Sequence, residues 1–194
     1  FVPSYSSELI RGKEKGRKFA NQIFNLLLIS LLIIVTIVEI LMPGFIYLLA
    51  PGFKGNADKI ELTIFLTRLT FPFLIFVSLA SFFSAILNSH NKFAAAAAAP
   101  IILNILLILV LFYGNYLNDN LVIYLSIAVS LAGLLQLVIL IIFSRKYYKT
   151  KFSFNFKIPS SVKIFFKKLL PSIFSSGVTQ INILIGTIIA SFQA

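Results

Sequence analysis

The amino-acid sequence predicts an all-α fold, a polytopic membrane helix bundle, and three observations carry that expectation. Of 194 residues, 59% are hydrophobic and only 12% are charged, too few charges to cover a water-soluble domain of this size. Mean hydropathy is +0.98. The apolar residues also come in runs close to the roughly 20 positions that carry a helix across the hydrocarbon of a bilayer, with Pro, Gly and Asn falling between the runs.

The first spanning run covers residues 20–41 and ends at Met42, Pro43 and Gly44. A short apolar piece, residues 45–50, is expected to dip along the membrane interface before Pro51 and Gly52. The second run covers residues 60–87, the third 93–113 and the fourth 121–143, and the fifth starts after Pro171 and continues past Ser191. Four units follow from this reading. Residues 1–18 form the end of a preceding span and a basic segment, 19–143 hold four spans, 144–170 form a basic loop, and 171–194 hold one further, truncated span. The chain starts at Phe1 and stops while still apolar, so it reads as cut at both ends, without a cleavable signal peptide.

Charge sets the expected orientation, because short loops rich in Lys and Arg stay on the cytoplasmic side. Arg11, Lys13, Lys15, Arg17 and Lys18 precede the first span, and Arg145, Lys146, Lys149, Lys151, Lys157, Lys163, Lys167 and Lys168 follow the fourth. Between them, Lys54 and Lys59 sit after the first span, Lys92 beside His90 after the second, and Asp119 after the third. The two heavily basic segments lie an even number of crossings apart, which places residues 1–18, 88–92 and 144–170 in the cytoplasm. The net charge of +11 therefore points to a membrane surface and not to nucleic acid, whose binding needs a folded basic face. Within the last loop, Val162, Phe165, Phe166, Leu169 and Leu170 recur at helical spacing opposite Lys163, Lys167 and Lys168. That pattern reads either as an interfacial helix with its lysines near anionic headgroups or as a solvated connector.

Polar groups at membrane depth are costly and so are candidate functional groups. Arg68 reads as a ligand group or an interface anchor, since it lies near one end of its span and can snorkel; Glu39 reads as an anchor. Pro72 and Pro100 each remove a backbone donor, leaving the carbonyls of Arg68 and Ala96 unpaired and favouring kinks. The small side chains of residues 94–99 permit close packing or a thin cavity wall. Asn104 reads as a helix–helix hydrogen-bonding group or a cavity-lining one. The fourth span offers Ser126, Ser130, Gly133 and Gln136; in the fifth, Ser172, Ser176, Thr179, Gln180, Thr187 and Ser191 fall close to one face, which suits a water-filled cavity or a neighbouring helix.

Disulfides and thiolate metal sites are excluded by the lack of Cys, and the single His cannot build a metal site alone. With six acidic residues, no paired carboxylates, no Ser/His/Asp set and no phosphate-cradling Gly loop, the chain is not read as an enzyme.

Specific wording adds to this. The opening FVPSYSSE, the stretch APGFKGNADKIELTIFLTRLTFPFLIFVSLASFFSAILNSHNKFAAAAAAPIILNI and the closing LLPSIFSSGVTQINILIGTIIASF resemble the MurJ/MviN family of lipid II flippases. Ala50-Pro51-Gly52-Phe53, Thr70-Phe71-Pro72, Ala85-Ile86-Leu87-Asn88 and Ala99-Pro100 followed by Leu103-Asn104 are the most family-like points. The resemblance implies a multi-pass protein of the bacterial inner membrane, in the multidrug/oligosaccharidyl-lipid/polysaccharide exporter superfamily, of which this chain is a partial flippase covering about the end of span two to span seven. It implies that the whole protein moves an undecaprenyl-linked peptidoglycan precursor between leaflets by alternating access, as a monomer among membrane lipids, without a cofactor, and with possible coupling to membrane potential or a cation. Under it, Asn104, Gln180, Thr187 and Arg68 are the cavity candidates; the family's essential arginines lie outside this chain. A polysaccharide or O-antigen lipid exporter and a non-transporting scaffold stand as alternatives.

Overall fold

A computed structural model describes residues 1–114, 121–150 and 160–192. Asn115, Asp119, Lys151, Lys157 and Pro159 lie outside them, as do the side chains of Lys168, Leu170 and Ser172. Eight α-helices occur among the described residues, in the order α1 (Val2–Ile10), α2 (Lys13–Ile40), α3 (Met42–Leu49), α4 (Ala57–Thr70), α5 (Phe73–Ser89), α6 (Phe93–Phe112), α7 (Leu121–Ser144) and α8 (Ser160–Ser191). A short 3₁₀ helix, Pro51–Gly55, links α3 to α4. Four segments are long and apolar enough to cross a bilayer: α2, α4 with α5, α6, and α7. Their exposed surface is rich in large aliphatic side chains, such as Leu32, Ile33, Ile34 and Ile37 on α2 and Ile105 and Ile108 on α6, as expected where lipid is the solvent.

Local chemistry explains the boundaries. Asn56 caps α4 by accepting a hydrogen bond from the Lys59 backbone at 3.0 Å, and Asp58 in the first turn suits the positive end of the helix dipole. At Pro72 the helix breaks as the sequence predicts: Phe71 still donates to the Thr67 carbonyl, but Leu74 and Ile75 turn to the nearer carbonyls of Phe71 and Pro72. Pro100 behaves differently, because α6 runs through it without interruption. Two boundaries depart from expectation. The helix of the first span begins at Lys13, since Lys, Glu and Arg favour helix and the hydrocarbon limits the span without ending the helix. The stretch before Pro171 and the fifth span form one helix, α8, of which Thr179–Ser191 is the apolar part. A lone Pro costs one hydrogen bond there, to the carbonyl of Lys167.

α7 is the centre of the bundle and packs against α4, α5 and α6. A β-carbon at Gly133 would lie 2.6 Å from the Phe73 ring and 3.1 Å from Phe76 Cβ, so glycine is what lets α5 approach α7 this closely. Just above, Ser130 on α7 donates to the Leu69 carbonyl at 2.5 Å, satisfying backbone freed next to the Pro72 break.

Aromatic packing gathers one end of the bundle. Phe1 stacks with Tyr5 and Phe19, with ring centroids at 5.4 and 6.0 Å, and meets Phe165 of α8 edge-on at 6.4 Å. His90 stacks on Tyr147 at 4.5 Å and meets the edge of Tyr5 at 6.1 Å; Tyr148 donates to Asn21 at 2.6 Å. Residues from all three basic segments thus share one end, as an even number of crossings requires. Burial pushes the His90 imidazole down and the Tyr148 phenol up, so both stay neutral near pH 7 and the charge of this end resides in its Lys and Arg side chains. At the other end Met42, Ile46 and Ile60 form a smaller cluster with Val38, Phe53 and Phe71.

Gly133→Leu should lower the thermal unfolding midpoint in detergent, with a loss of about 1–3 kcal/mol from overpacking, whereas Gly44→Ala, where an added β-carbon meets nothing within 4 Å, should leave it unchanged. Ser130→Ala should cost less, about 0.5–1.5 kcal/mol, in the same assay.

Candidate functional site

The positions singled out by sequence are spread along the bundle. Asn104 is exposed on α6, and no hydrogen bond reaches it among the described residues. Gln180 and Thr187 are exposed along α8, where Thr187 donates to the Ile183 carbonyl at 3.0 Å. Arg68, near the end of α4, leans on the end of α2: its Nε lies 3.9 Å from Glu39 Oε2, and its Nη2 donates to the Glu39 carbonyl at 3.4 Å. The Arg68 side chain is 47% exposed, so this long pair contributes under about 1 kcal/mol and ties two helix ends together. The sequence had offered Arg68 and Glu39 singly; their pairing depends on a helix crossing that periodicity does not contain.

On α8, Lys163 and Lys167 are exposed while Val162 and Phe165 are buried, so the amphipathic pattern is present. Part of its apolar face is covered by protein, with Val162 buried and Phe165 against Phe1 and Phe19, while Phe166 is exposed. Beyond this, α8 reaches the opposite end of the bundle, where the Gly52 N–H donates to Ser191 Oγ at 3.1 Å. A β-carbon at Gly52 would lie 2.1 Å from the Ser191 carbonyl oxygen, so only glycine permits this backbone-to-backbone approach.

What the fold does bring together is a small, mostly apolar cleft between α5 and α6 with α7 as its floor. Val77, Ala80, Ser81, Ser84, Ala85 and Asn88 line it from α5, spaced as one face of a helix. Ala96, Ala99 and Pro100 line it from α6, and Gln136 and Leu140 from α7; its volume is about 240 Å³. The alanines leave the space and the polar groups give it character. Gln136 is 4% exposed. Asn88 Oδ1 is buried and has no partner among the described residues. Ser81 is satisfied by the Val77 carbonyl at 2.9 Å, while Pro100 leaves the nearby Ala96 carbonyl without its usual helical donor. Sequence reasoning marked Gln136 and Pro100 separately and missed Ser84; the three-, four- and seven-residue spacings from Ser81 to Ser84, Ser84 to Asn88 and Ser81 to Asn88 were the available signal. With no titratable group lining it, the cleft can hydrogen-bond a guest but cannot transfer a proton to one.

Comparison with known proteins agrees with the motif matching. The chain matches the family described as lipid II flippase MurJ over residues 1–194. Among curated relatives it is 38% identical over 196 residues to a probable lipid II flippase MurJ of Rickettsia prowazekii (strain Madrid E), covering 99% of this chain and 38% of that protein. It is also 38% identical over 199 residues to the protein of the same name from Rhizobium tropici, covering 98% of this chain and 37% of the relative. The Rhizobium meliloti (strain 1021) protein of that name is 36% identical over 199 residues, with 98% and 37% covered. The chain thus spans under two-fifths of the length of these relatives. A match across all 194 residues, carried by a helical bundle with four membrane-crossing segments, establishes that the chain belongs to the lipid II flippase MurJ family.

Proposed function

We propose that the chain is part of a transporter that carries the undecaprenyl-linked peptidoglycan precursor, lipid II, from the inner to the outer leaflet of the bacterial cytoplasmic membrane by alternating access. The observation that carries this reading is the family match over the whole chain, supported by three relatives each named as a probable lipid II flippase. The chain supplies spans three to six, most of the first of two lobes, and α8 opens the second. The end that gathers Arg17, His90 and Tyr147 faces the cytoplasm, because that is where clustered Lys and Arg are retained. The protein works as a monomer, its partners are the lipid-linked precursor and surrounding lipids, and membrane potential or a cation drives the cycle. It is a transporter and not an enzyme.

Physical features of the fold suit alternating access. A span broken at Pro72 and repaired by one serine can bend at that point without losing its whole hydrogen-bond ladder. The contact of Gly52 with Ser191 joins the first lobe to α8 at the outer end, which corresponds to a closed outer side.

A full-length version should restore growth to a strain depleted of its own lipid II flippase; failure despite correct membrane insertion would sink this reading. Pro72→Ala should change the accessibility of cavity cysteines to hydrophilic reagents, and more than Pro100→Ala does, since only Pro72 interrupts its helix. Equal, unaltered labelling in both variants would remove the bending role.

A further inference from the structure

His90 occupies the connection between α5 and α6, and the backbone fixes where it stands. Asn91 takes a left-handed conformation, φ 57°, which Asn tolerates better than most residues, and Lys92 turns back to donate to the Leu87 carbonyl at 2.9 Å. The turn leaves the His90 ring stacked on Tyr147 at 4.5 Å and against the edge of Tyr5 at 6.1 Å. One imidazole thus joins residues of all three basic segments.

That junction is incompletely satisfied. His90 Nε2 and the Tyr5 hydroxyl are both buried without a hydrogen-bond partner among the described residues, and Tyr5 is 0% exposed. The neighbouring phenol differs, since Tyr148 donates to Asn21 at 2.6 Å. A neutral imidazole carries one proton and tolerates one unpartnered nitrogen. An imidazolium carries a proton on both nitrogens and needs two acceptors.

The surrounding charges give a proton no help. Arg17 of α2, which acts on Tyr148 in the same aromatic packing, is positive, as are Lys92 in the connection and Arg145 and Lys146 beside Tyr147. Of the carboxylates at this end, Glu8 of α1 is bonded to Arg11 at 3.0 Å and Glu14 of α2 is exposed; neither pairs with His90. Tyr5, Tyr147 and Tyr148 supply phenols only. The face of Tyr147 favours a cation, and that stack is kept if both rings turn to water together. Burial holds the imidazole below its ordinary value of 6.5.

We propose that His90 is a proton-operated latch: neutral, it holds the α5–α6 connection against α1 and Tyr147, and once protonated it leaves the Tyr5 edge for water and loosens the basic end of the bundle. The packing that depends on neutral His90 is complete above pH 6.5 and is lost as pH falls from there through the lowered value. The flippase reading enters only by placing this end in the cytoplasm, whose acidification the latch would register.

Ser144 is fully buried, and its carbonyl accepts from the Tyr147 and Tyr148 amides at 2.9 Å, so a thiol there reports opening of this end. In full-length, otherwise cysteine-free protein in detergent, Ser144→Cys should react slowly with a hydrophilic methanethiosulfonate at about pH 7.5, above the ordinary histidine range. His90→Phe keeps a ring against Tyr5 and Tyr147 and cannot take a proton. The labelling rate with His90 present, divided by the rate in His90→Phe, should rise severalfold between about pH 7.5 and about pH 5, and the quotient cancels the falling thiolate content common to both proteins. A quotient that stays flat or falls overturns the latch, as does fast labelling with His90 present at the higher pH. Without the reporter, the thermal unfolding midpoint of the wild type should fall relative to that of His90→Phe over the same range, and parallel curves overturn the latch too. Neither readout uses transport, so a failed latch leaves the flippase reading standing, and failure of that reading alters neither outcome.

Discussion

The close approach of α5 to α7 at Gly133 is the contact on which the rest of the bundle depends. In hydrocarbon there is no hydrophobic drive between helices, so association rests on packing distance and on hydrogen bonds that cross between them. Gly133 supplies the first, by admitting the Phe73 ring and Phe76 where a side chain would stand. Ser130, three residues earlier, supplies the second through the Leu69 carbonyl. That bond falls beside the Pro72 break, so one short stretch of α7 both brings the neighbouring span close and repairs its backbone. Gln136, one turn further along, then lines the floor of the cleft between α5 and α6.

The two ends of the bundle are built on different chemistry. The end with the basic segments is held by rings, from Phe1 through Phe19, Phe82 and Tyr148 to Phe165, which lets Lys and Arg stay in water around an apolar plug. The other end is held by a small aliphatic cluster, a weak Glu39–Arg68 pair and the glycine contact with Ser191. Fewer buried contacts there mean that opening that end would disturb less of the core.

The legible part of this architecture was the part set by composition along the chain. The runs that became α2, α4 with α5, α6 and α7 declared themselves by length and hydropathy, and the Pro72 break by the missing donor. That the three basic segments share one end was legible too, since counting crossings between them needs no knowledge of packing. What stayed hidden was set between helices. The Ser130 bond joins positions 61 residues apart, the Glu39–Arg68 pair depends on where two helices cross, and the cleft exists only because Ser84 and Asn88 come to face Gln136. Pro171 misled for a different reason. A proline is a strong punctuation mark, yet a helix that has one carbonyl to lose, at its less apolar end, continues through it.

The three basic segments lie together at one end of the bundle, and the proposed function places that end in the cytoplasm. Side-specific labelling of single cysteines in intact cells, at Lys15, Asn91 and Lys149 in turn and at Lys54 on the opposite connection, tests it most directly. An impermeant thiol reagent should reach Lys54→Cys from outside, and should reach Lys15→Cys, Asn91→Cys and Lys149→Cys only after the membrane is permeabilised. Labelling of Asn91→Cys from outside, or of Lys15→Cys and Lys149→Cys from opposite sides, would contradict it.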